Sequence, residues 1–254
     1  MSSPSDPAAS ALPHLSVVVP VRNEADNILP LVGEIVAALT GKIAFEIVYV
    51  DDGSDDATPA MLRQAAAACP VLRYIRHRRG CGQSAAVASG VAIARASLIA
   101  TLDGDGQNDP ADIPRLLAHL LDQPPDRRDF VLVAGHRRQR RDDALRRLSS
   151  RLANGVRARL LGDRTPDSGC GLKLFTRAAF IDMPRFDHMH RFLPALMIRR
   201  GGLVHSVAVS HRPRARGISK YGVWNRLWVG IVDLFGVMWL QHRAILPHIE
   251  TDER

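Results

Sequence analysis

The chain has 254 residues, 46% of them hydrophobic, enough for one large domain, or a domain with a small appendage, around a sizeable core. Its formal charge of +8, carried almost entirely by arginine, suits an anionic partner (nucleic acid, a membrane surface or a phosphorylated substrate), although a compositional bias toward arginine accounts for the excess equally well. Cys69, Cys81 and Cys170 stand far apart in no Cys-x-x-Cys or Cys/His spacing, which argues against a structural zinc site and for a reducing compartment.

Residues 1–14, MSSPSDPAASALPH, lack a charged start and a long apolar core, so a disordered tail is expected there rather than a signal peptide. LSVVVPV (15–21) reads as a buried strand. Over 25–39, Ile28, Leu31, Val32, Ile35 and Leu39 recur at helical spacing, with Asn23 as the expected N-cap. FEIVYV (45–50) is a second buried strand, stopped by Asp51-Asp52-Gly53-Ser54, and an alanine-rich helix is expected over 57–68. VLRYI (71–75) reads as a third strand. Residues 83–96 form a helix of small side chains fit for close packing on a sheet, and SLIATLD (97–103) is a fourth strand. A helix over 110–121 and a fifth strand, FVLVAG (130–135), follow. Apolar strands alternating with helices imply a mostly parallel sheet covered on both faces, with ligands bound outside the carboxyl ends of the strands.

Beyond residue 140 the pattern changes. An arginine-dense helix is expected over 142–161, a glycine-rich turn at 167–175 (DSGCGLKLF), and a less regular part holding His188, His190 and His205. The end is a basic loop followed by an apolar segment.

The polar clusters fall where strands end. TLDGDGQNDP (101–110) crowds Asp103, Asp105 and Asp109 together, and crowded carboxylates raise one another's pKa unless a cation sits among them. An EF-hand would need Gly and Glu where Asn108 and Pro114 stand. An aspartyl-nucleophile phosphohydrolase is a rival, but its Asp-x-Asp follows the first strand rather than the fourth. Helix capping explains Asp109 before Pro110 but not Asp103 and Asp105, whose spacing suits Mg2+ or Mn2+ gripping a diphosphate. Gly80-Cys81-Gly82-Gln83-Ser84-Ala85 matches a dinucleotide fingerprint, yet it follows the third strand and reads better as a tight turn into a packed helix. In VDDGSDDAT (50–58), a carboxylate at a strand end can accept from a ribose or a base N–H, or simply make a turn.

PVRNEADNI, VYVDDGSDDAT, GCGQSAAVASGVAIA, TLDGDGQNDP and RARGISKYG, in this order and spacing, resemble the family 2 glycosyltransferases, in particular the polyprenyl-phosphate sugar synthases. The resemblance covers about residues 14 to 240. It implies a GT-A fold, a Rossmann-like and mostly parallel α/β sheet with helices on both faces, here followed by a C-terminal amphipathic helix. It also implies a nucleotide-sugar donor, a divalent metal (Mg2+ or Mn2+) and a polyprenyl-phosphate acceptor. Residue by residue, it puts the nucleotide against Pro20, Arg22, Glu24, Val50, Asp52, Asp103 and Gly104, with the metal on Asp103 and Asp105. Gln107, Arg137 and Asp167 join Asp105 as catalytic positions, and Arg151, Arg214 and Lys220 serve the phosphates and acceptor. The segment that Asp167 opens departs from the family pattern, with Cys170 for Ser and Lys173 for Arg, and Arg22 replaces a common aromatic.

The resemblance further implies inversion by in-line attack of a lipid-phosphate oxygen, already ionised at neutral pH. No strong general base is then needed, and His77, His136, His188, His190 and His211 are expected at the surface or in packing. Residues 223–240 carry Trp224, Leu227, Trp228, Ile231, Phe235, Met238 and Trp239 together with Arg226 and Asp233. Spanning a bilayer would be costly for such a segment. It fits a helix lying on the inner face of the membrane, packing on its own domain, or meeting a membrane-bound partner. The expected layout is a tail over 1–14, a catalytic domain over 15–210, and a basic loop with a membrane- or partner-facing helix over 211–254, in a peripheral enzyme of the cytoplasmic face. Nucleic acid is not an expected partner, because carboxylates facing the ligand repel phosphates.

Overall fold

The computed structural model describes residues 12–137, 155, 157–213 and 223–245, the side chains of the last stretch from Gly230 on. Residues 1–11, Arg151, Arg214, Lys220 and all but the last turn of the helix expected over 142–161 lie outside the described residues.

Seven strands form one sheet: β1 (Leu15–Val21), β2 (Phe45–Asp51), β3 (Leu72–Arg76), β4 (Leu98–Thr101), β5 (Val131–Arg137), β6 (Lys173–Thr176) and β7 (Leu203–Val209), in the order β3-β2-β1-β4-β6-β5-β7. β6 runs antiparallel to β4 and β5, and every other pairing is parallel. β1 is buried along its whole length and β2 in all but its first residue, as strands covered on both faces must be.

On one face pack α1 (Ala25–Leu39), α2 (Thr58–Ala68) and α4 (Ile113–Leu121), sharing a core that includes Ile28, Ile35, Leu62 and Leu116. The expected stripe of α1 is the one buried. Its N-cap is Glu24 rather than Asn23, whose left-handed backbone (φ 55°) instead lets its side chain reach Asp55. On the other face lie α3 (Gln83–Ile93), α5 (Arg177–Ile181) and α6 (Leu193–Arg199), around Val87, Val91, Phe175, Phe180 and Leu196. The small residues of α3 allow the expected close approach: a Cβ on Gly90 would lie 2.4 Å from Val18 Cγ1 of β1.

Two strands escape the sequence pattern. The glycine-rich turn expected over 167–175 ends early, and Lys173–Thr176 enters the sheet as β6, with Lys173 opposite Thr101 and Ala134. Four residues are too few to show an alternation. The part expected to be less regular holds β7, an edge strand on β5 with Val207 and Val209 buried and Leu203 exposed. At the C-terminus, α7 (Val223–His242) turns Val237 into the second core.

Candidate functional site

The strand order reverses around β1, which has β2 on one side and β4 on the other. A parallel sheet opens a crevice at the carboxyl ends of such strands, because the chain leaves them in opposite directions. The turn after β4 lies there. Gly104 has no room for a side chain: a Cβ would lie 2.3 Å from Val21 Cγ1 and 3.0 Å from the Pro20 carbonyl oxygen. This contact draws the Asp103-Gly104-Asp105 turn against the end of β1. Asp103 Oδ1 accepts from Gln83 Nε2 at 2.8 Å, and Asp105 Oδ1 from the Gln107 N–H at 3.1 Å. Asp109 accepts from the Ala111 N–H and caps the 3-10 turn Pro110–Asp112, as expected.

Burial, and then the neighbouring Asp105 carboxylate, push Asp103 up to about 6, against Lys173, Arg137 and Gln83. Two oxygen-donor acids in mutual repulsion, one of them resisting ionisation, fit a hard divalent cation. The turn carrying Gly169 and Gly171 closes over Asp103, and a Cβ on Gly171 would fall 2.2 Å from its carboxyl group.

That turn begins at Asp167, whose carboxylate receives two hydrogen bonds from the Arg137 guanidinium, from Nε at 2.6 Å and from an Nη at 2.8 Å, and a longer one from the Arg137 backbone N–H at 3.4 Å. The charge of Arg137, expected to face phosphates, is thus held by Asp167, and its hydrogen bonds to that carboxylate raise the guanidinium pKa above its ordinary value. Lys173 is buried at the start of β6 and donates to the Cys170 carbonyl; burial lowers its pKa, while Cys170, Asp103 and Asp167 oppose that.

At the end of β2, Asp52 is fully engaged. Its Oδ1 accepts from the Cys81 N–H at 2.7 Å, its Oδ2 from the Gly82 N–H at 2.8 Å, and His77 Nδ1 lies 2.8 Å from Oδ1. Burial would raise its pKa, but these bonds hold the carboxylate below its usual range. Asp52, His77 and Cys81 bring potential metal-ligand atoms within 4.8 Å of one another, yet both oxygens of Asp52 already brace the 80–82 turn. The fingerprint-like glycines belong to that turn. Gly82 adopts φ +92° at the start of α3, and Gly80 lies under the Arg22 guanidinium. Glu24 accepts from Asn27 Nδ2 at 2.7 Å, and the fully buried Val50 faces Gly90.

Between these turns is a cavity of about 110 Å3 whose lining includes Pro20, Gln83, Asp103, Lys173, His190 and Arg191. His190 was expected at the surface or in packing, but it reaches the site on a 3-10 turn (Met189–Arg191) that follows His188 in a left-handed conformation. No spacing in the sequence marks it, because its neighbour Ser84 stands 106 positions away. Burial, then Lys173, Arg191 and His188, depress its pKa to about 3, so the imidazole is neutral.

The start of the basic loop is fastened to the same site. His211 bridges Asn108, and the Arg212 N–H donates to the Gln107 carbonyl at 2.9 Å. The Arg212 guanidinium pairs with Glu34 at 2.8 Å and Asp109 at 2.7 Å.

A glycosyl transferase family 2 profile matches residues 16–183. A dodecaprenyl-phosphate galacturonate synthase from Rhizobium johnstonii is 37% identical over 247 residues, spanning 95% of this chain and 71% of that protein. An undecaprenyl-phosphate 4-deoxy-4-formamido-L-arabinose transferase from Edwardsiella ictaluri is 36% identical over 213 residues, spanning 82% of this chain but only 63% of that protein. Among solved structures, a mannosyltransferase from Pyrobaculum calidifontis in complex with GDP-Man and Mn2+ superposes with a TM-score of 0.65 at 19% identity, covering 94% of this chain and 67% of the other. A glucosyl-3-phosphoglycerate synthase from Mycobacterium tuberculosis with Mn2+, UDP and glucosyl-3-phosphoglycerate gives 0.66 at 16% identity, covering 93% and 81%.

Proposed function

The chain belongs to glycosyl transferase family 2, and from that premise we propose that it transfers a sugar, with inversion, from a nucleotide-sugar donor to a polyprenyl phosphate. The observation that carries this reading is the Asp103-Gly104-Asp105 turn, held by a glycine contact at the point where the strand order reverses and opening on a polar cavity. The names of the relatives, both of which act on polyprenyl phosphates, support the acceptor class.

Asp103 and Asp105 would hold Mg2+ or Mn2+, which when bound supplies electrostatic stabilisation of the leaving diphosphate. Gln83 orients Asp103, and the Gln107 N–H orients Asp105. Pro20, Arg22, Glu24, Val50 and Asp52 frame the nucleotide, with Asp52 setting the 80–82 turn beside it. Arg137 and Asp167 fix the turn over the acids. Arg214 and Lys220, which follow Arg212 in the chain, and Arg151 supply positive charge to the donor and acceptor phosphates. The acceptor phosphate is its own nucleophile and needs no strong general base, which agrees with a neutral His190.

Residues 15–210 act in this reading as the catalytic body, and 211–254 as the loop and helix that meet the membrane. No helix among the described residues is long and apolar enough to cross a membrane. α7 turns Leu234, Val237 and Met238 toward the core and leaves Ile231, Val232, Phe235 and Trp239 exposed on its other side. Asp233 Oδ2 lies 3.0 Å from His188 Nδ1, so this carboxylate has a partner within the protein. An exposed apolar stripe with a tryptophan, following a basic loop, supports contact with the cytoplasmic face of the membrane or with a protein embedded there.

The test is incubation of the purified chain with polyprenyl phosphate in detergent and labelled UDP-hexoses, UDP-hexuronic acids or GDP-mannose, with Mg2+ or Mn2+. A lipid-linked sugar that forms only with metal, and not with Asp105→Ala, is the expected result. Release of phosphate without sugar transfer would favour a phosphohydrolase instead. Salt-sensitive nucleic-acid binding without metal would point to the basic surface as the functional one.

A further inference from the structure

His190 lines the cavity beside Asp103, and its hydrogen bonds fix which ring nitrogen carries the proton. Ser84 Oγ lies 3.2 Å from the His190 backbone nitrogen and 2.7 Å from His190 Nδ1. The backbone N–H can only donate, so it takes a lone pair of Oγ. Ser84 is buried, and among the described residues the only acceptor its hydroxyl proton meets is Nδ1. The proton of the neutral imidazole therefore sits on Nε2. That nitrogen makes no hydrogen bond among the described residues, on a side chain that lines the cavity.

The walls around it suit a sugar ring. Val87 and Leu193 are apolar, while Gln83, Asp103 and Lys173 are polar and stand close to where the diphosphate would meet the two acids. We propose that His190, held as an Nε2–H donor by Ser84, is a specificity-determining residue that reads one oxygen of the transferred sugar. This rests on the nucleotide-sugar reading given above. A neutral donor fits a sugar hydroxyl better than the acceptor phosphate, which calls for a full positive charge. A site built to donate to a hydroxyl discriminates strongly against the sugar that lacks it, because the buried donor is then left without a partner.

The experiment uses the purified full chain, UDP and GDP with Mn2+ for binding, and for turnover the donor from the panel above that reacts, together with its monodeoxy analogues. Wild type is expected to bind one nucleoside diphosphate and to reject one monodeoxy sugar. His190→Phe should bind that diphosphate as tightly as wild type, lose about 10- to 100-fold in kcat/KM for the full donor, and no longer distinguish the one deoxy analogue. His190→Gln, whose amide both accepts from Ser84 and donates, should recover most of the loss. Ser84→Ala should lose part of the discrimination, because the imidazole proton is then free to move to Nδ1. If His190→Phe does not fold, the Gln and Ser84→Ala variants carry the same comparison. Unchanged discrimination in folded variants, or a loss confined to the KM of polyprenyl phosphate, overturns the assignment of His190 to the sugar. Failure of wild type to bind either diphosphate overturns the nucleotide-sugar reading itself, and is seen before any variant is made.

Discussion

Arg137 and Asp167 face each other as a two-pronged pair, with Nε and an Nη 2.6 and 2.8 Å from the two carboxylate oxygens, and so bolt the end of β5 to the turn that leads into β6. Neither side chain has much solvent, at 16% and 10% exposure, and removing one partner leaves the other charge buried. Arg137→Ala is expected to cost about 2–4 kcal/mol in urea unfolding. Replacing both residues should cost less than the sum of the single changes, and a double-mutant cycle reads that coupling.

Two glycines separate stability from site geometry. Gly90→Ala drives a methyl group to 2.4 Å from Val18 Cγ1 within the α3–β1 contact, so it should lower stability by about 1–3 kcal/mol. Gly171→Ala meets the Asp103 carboxyl group at 2.2 Å and must displace it. The expected outcome is a protein that melts close to wild type but has lost the metal-dependent thermal stabilisation by UDP or GDP, measured by scanning fluorimetry.

His190 gives stability a dependence on pH whose sign follows from its low pKa. Unfolded, it titrates near the ordinary histidine value of about 6.5; folded, near 3. The unfolded chain therefore binds the proton first. This contribution is complete above about pH 6.5 and is lost progressively as the pH falls toward 3. Between pH 6.5 and 4.5 the melting temperature of wild type should fall more steeply than that of His190→Gln.

The exposed side of α7 is expected to hold the protein on lipid. Phe235 and Trp239 are 56% and 61% exposed, so replacing them costs little packing. Phe235→Ser combined with Trp239→Ser should leave the melting temperature within a few degrees of wild type and sharply reduce co-sedimentation with vesicles containing anionic lipid. Retained sedimentation would assign that face to a protein partner or to another role.

Much of this was readable in one dimension. β1, β2, α1 and the acids after β4 announce themselves, since a run of β-branched residues, a helical apolar spacing and Asp-Gly-Asp at a strand end are local patterns. β6 and β7 were not readable. β6 is four residues long, and its partners on β4 and β5 are assembled only when the chain returns. Asn23 is of a type that suits a cap, but its contacts are to Asp55 and Ser54, 32 and 31 residues away, and these override the local preference.

The order of strands and helices as far as β5, the covered and mostly parallel sheet and the pair Asp103 and Asp105 follow from the sequence by itself, because each depends on neighbours a few positions apart. Only the tertiary structure decided that Arg137 is held by Asp167, that Asp52 braces the turn at Cys81 and Gly82, and that Ser84 turns His190 into a donor facing the cavity. Those bonds join residues 30, 29 and 106 positions apart. A side chain's charge partner and proton position depend on what folding brings within about 3 Å of it, and no local spacing records that.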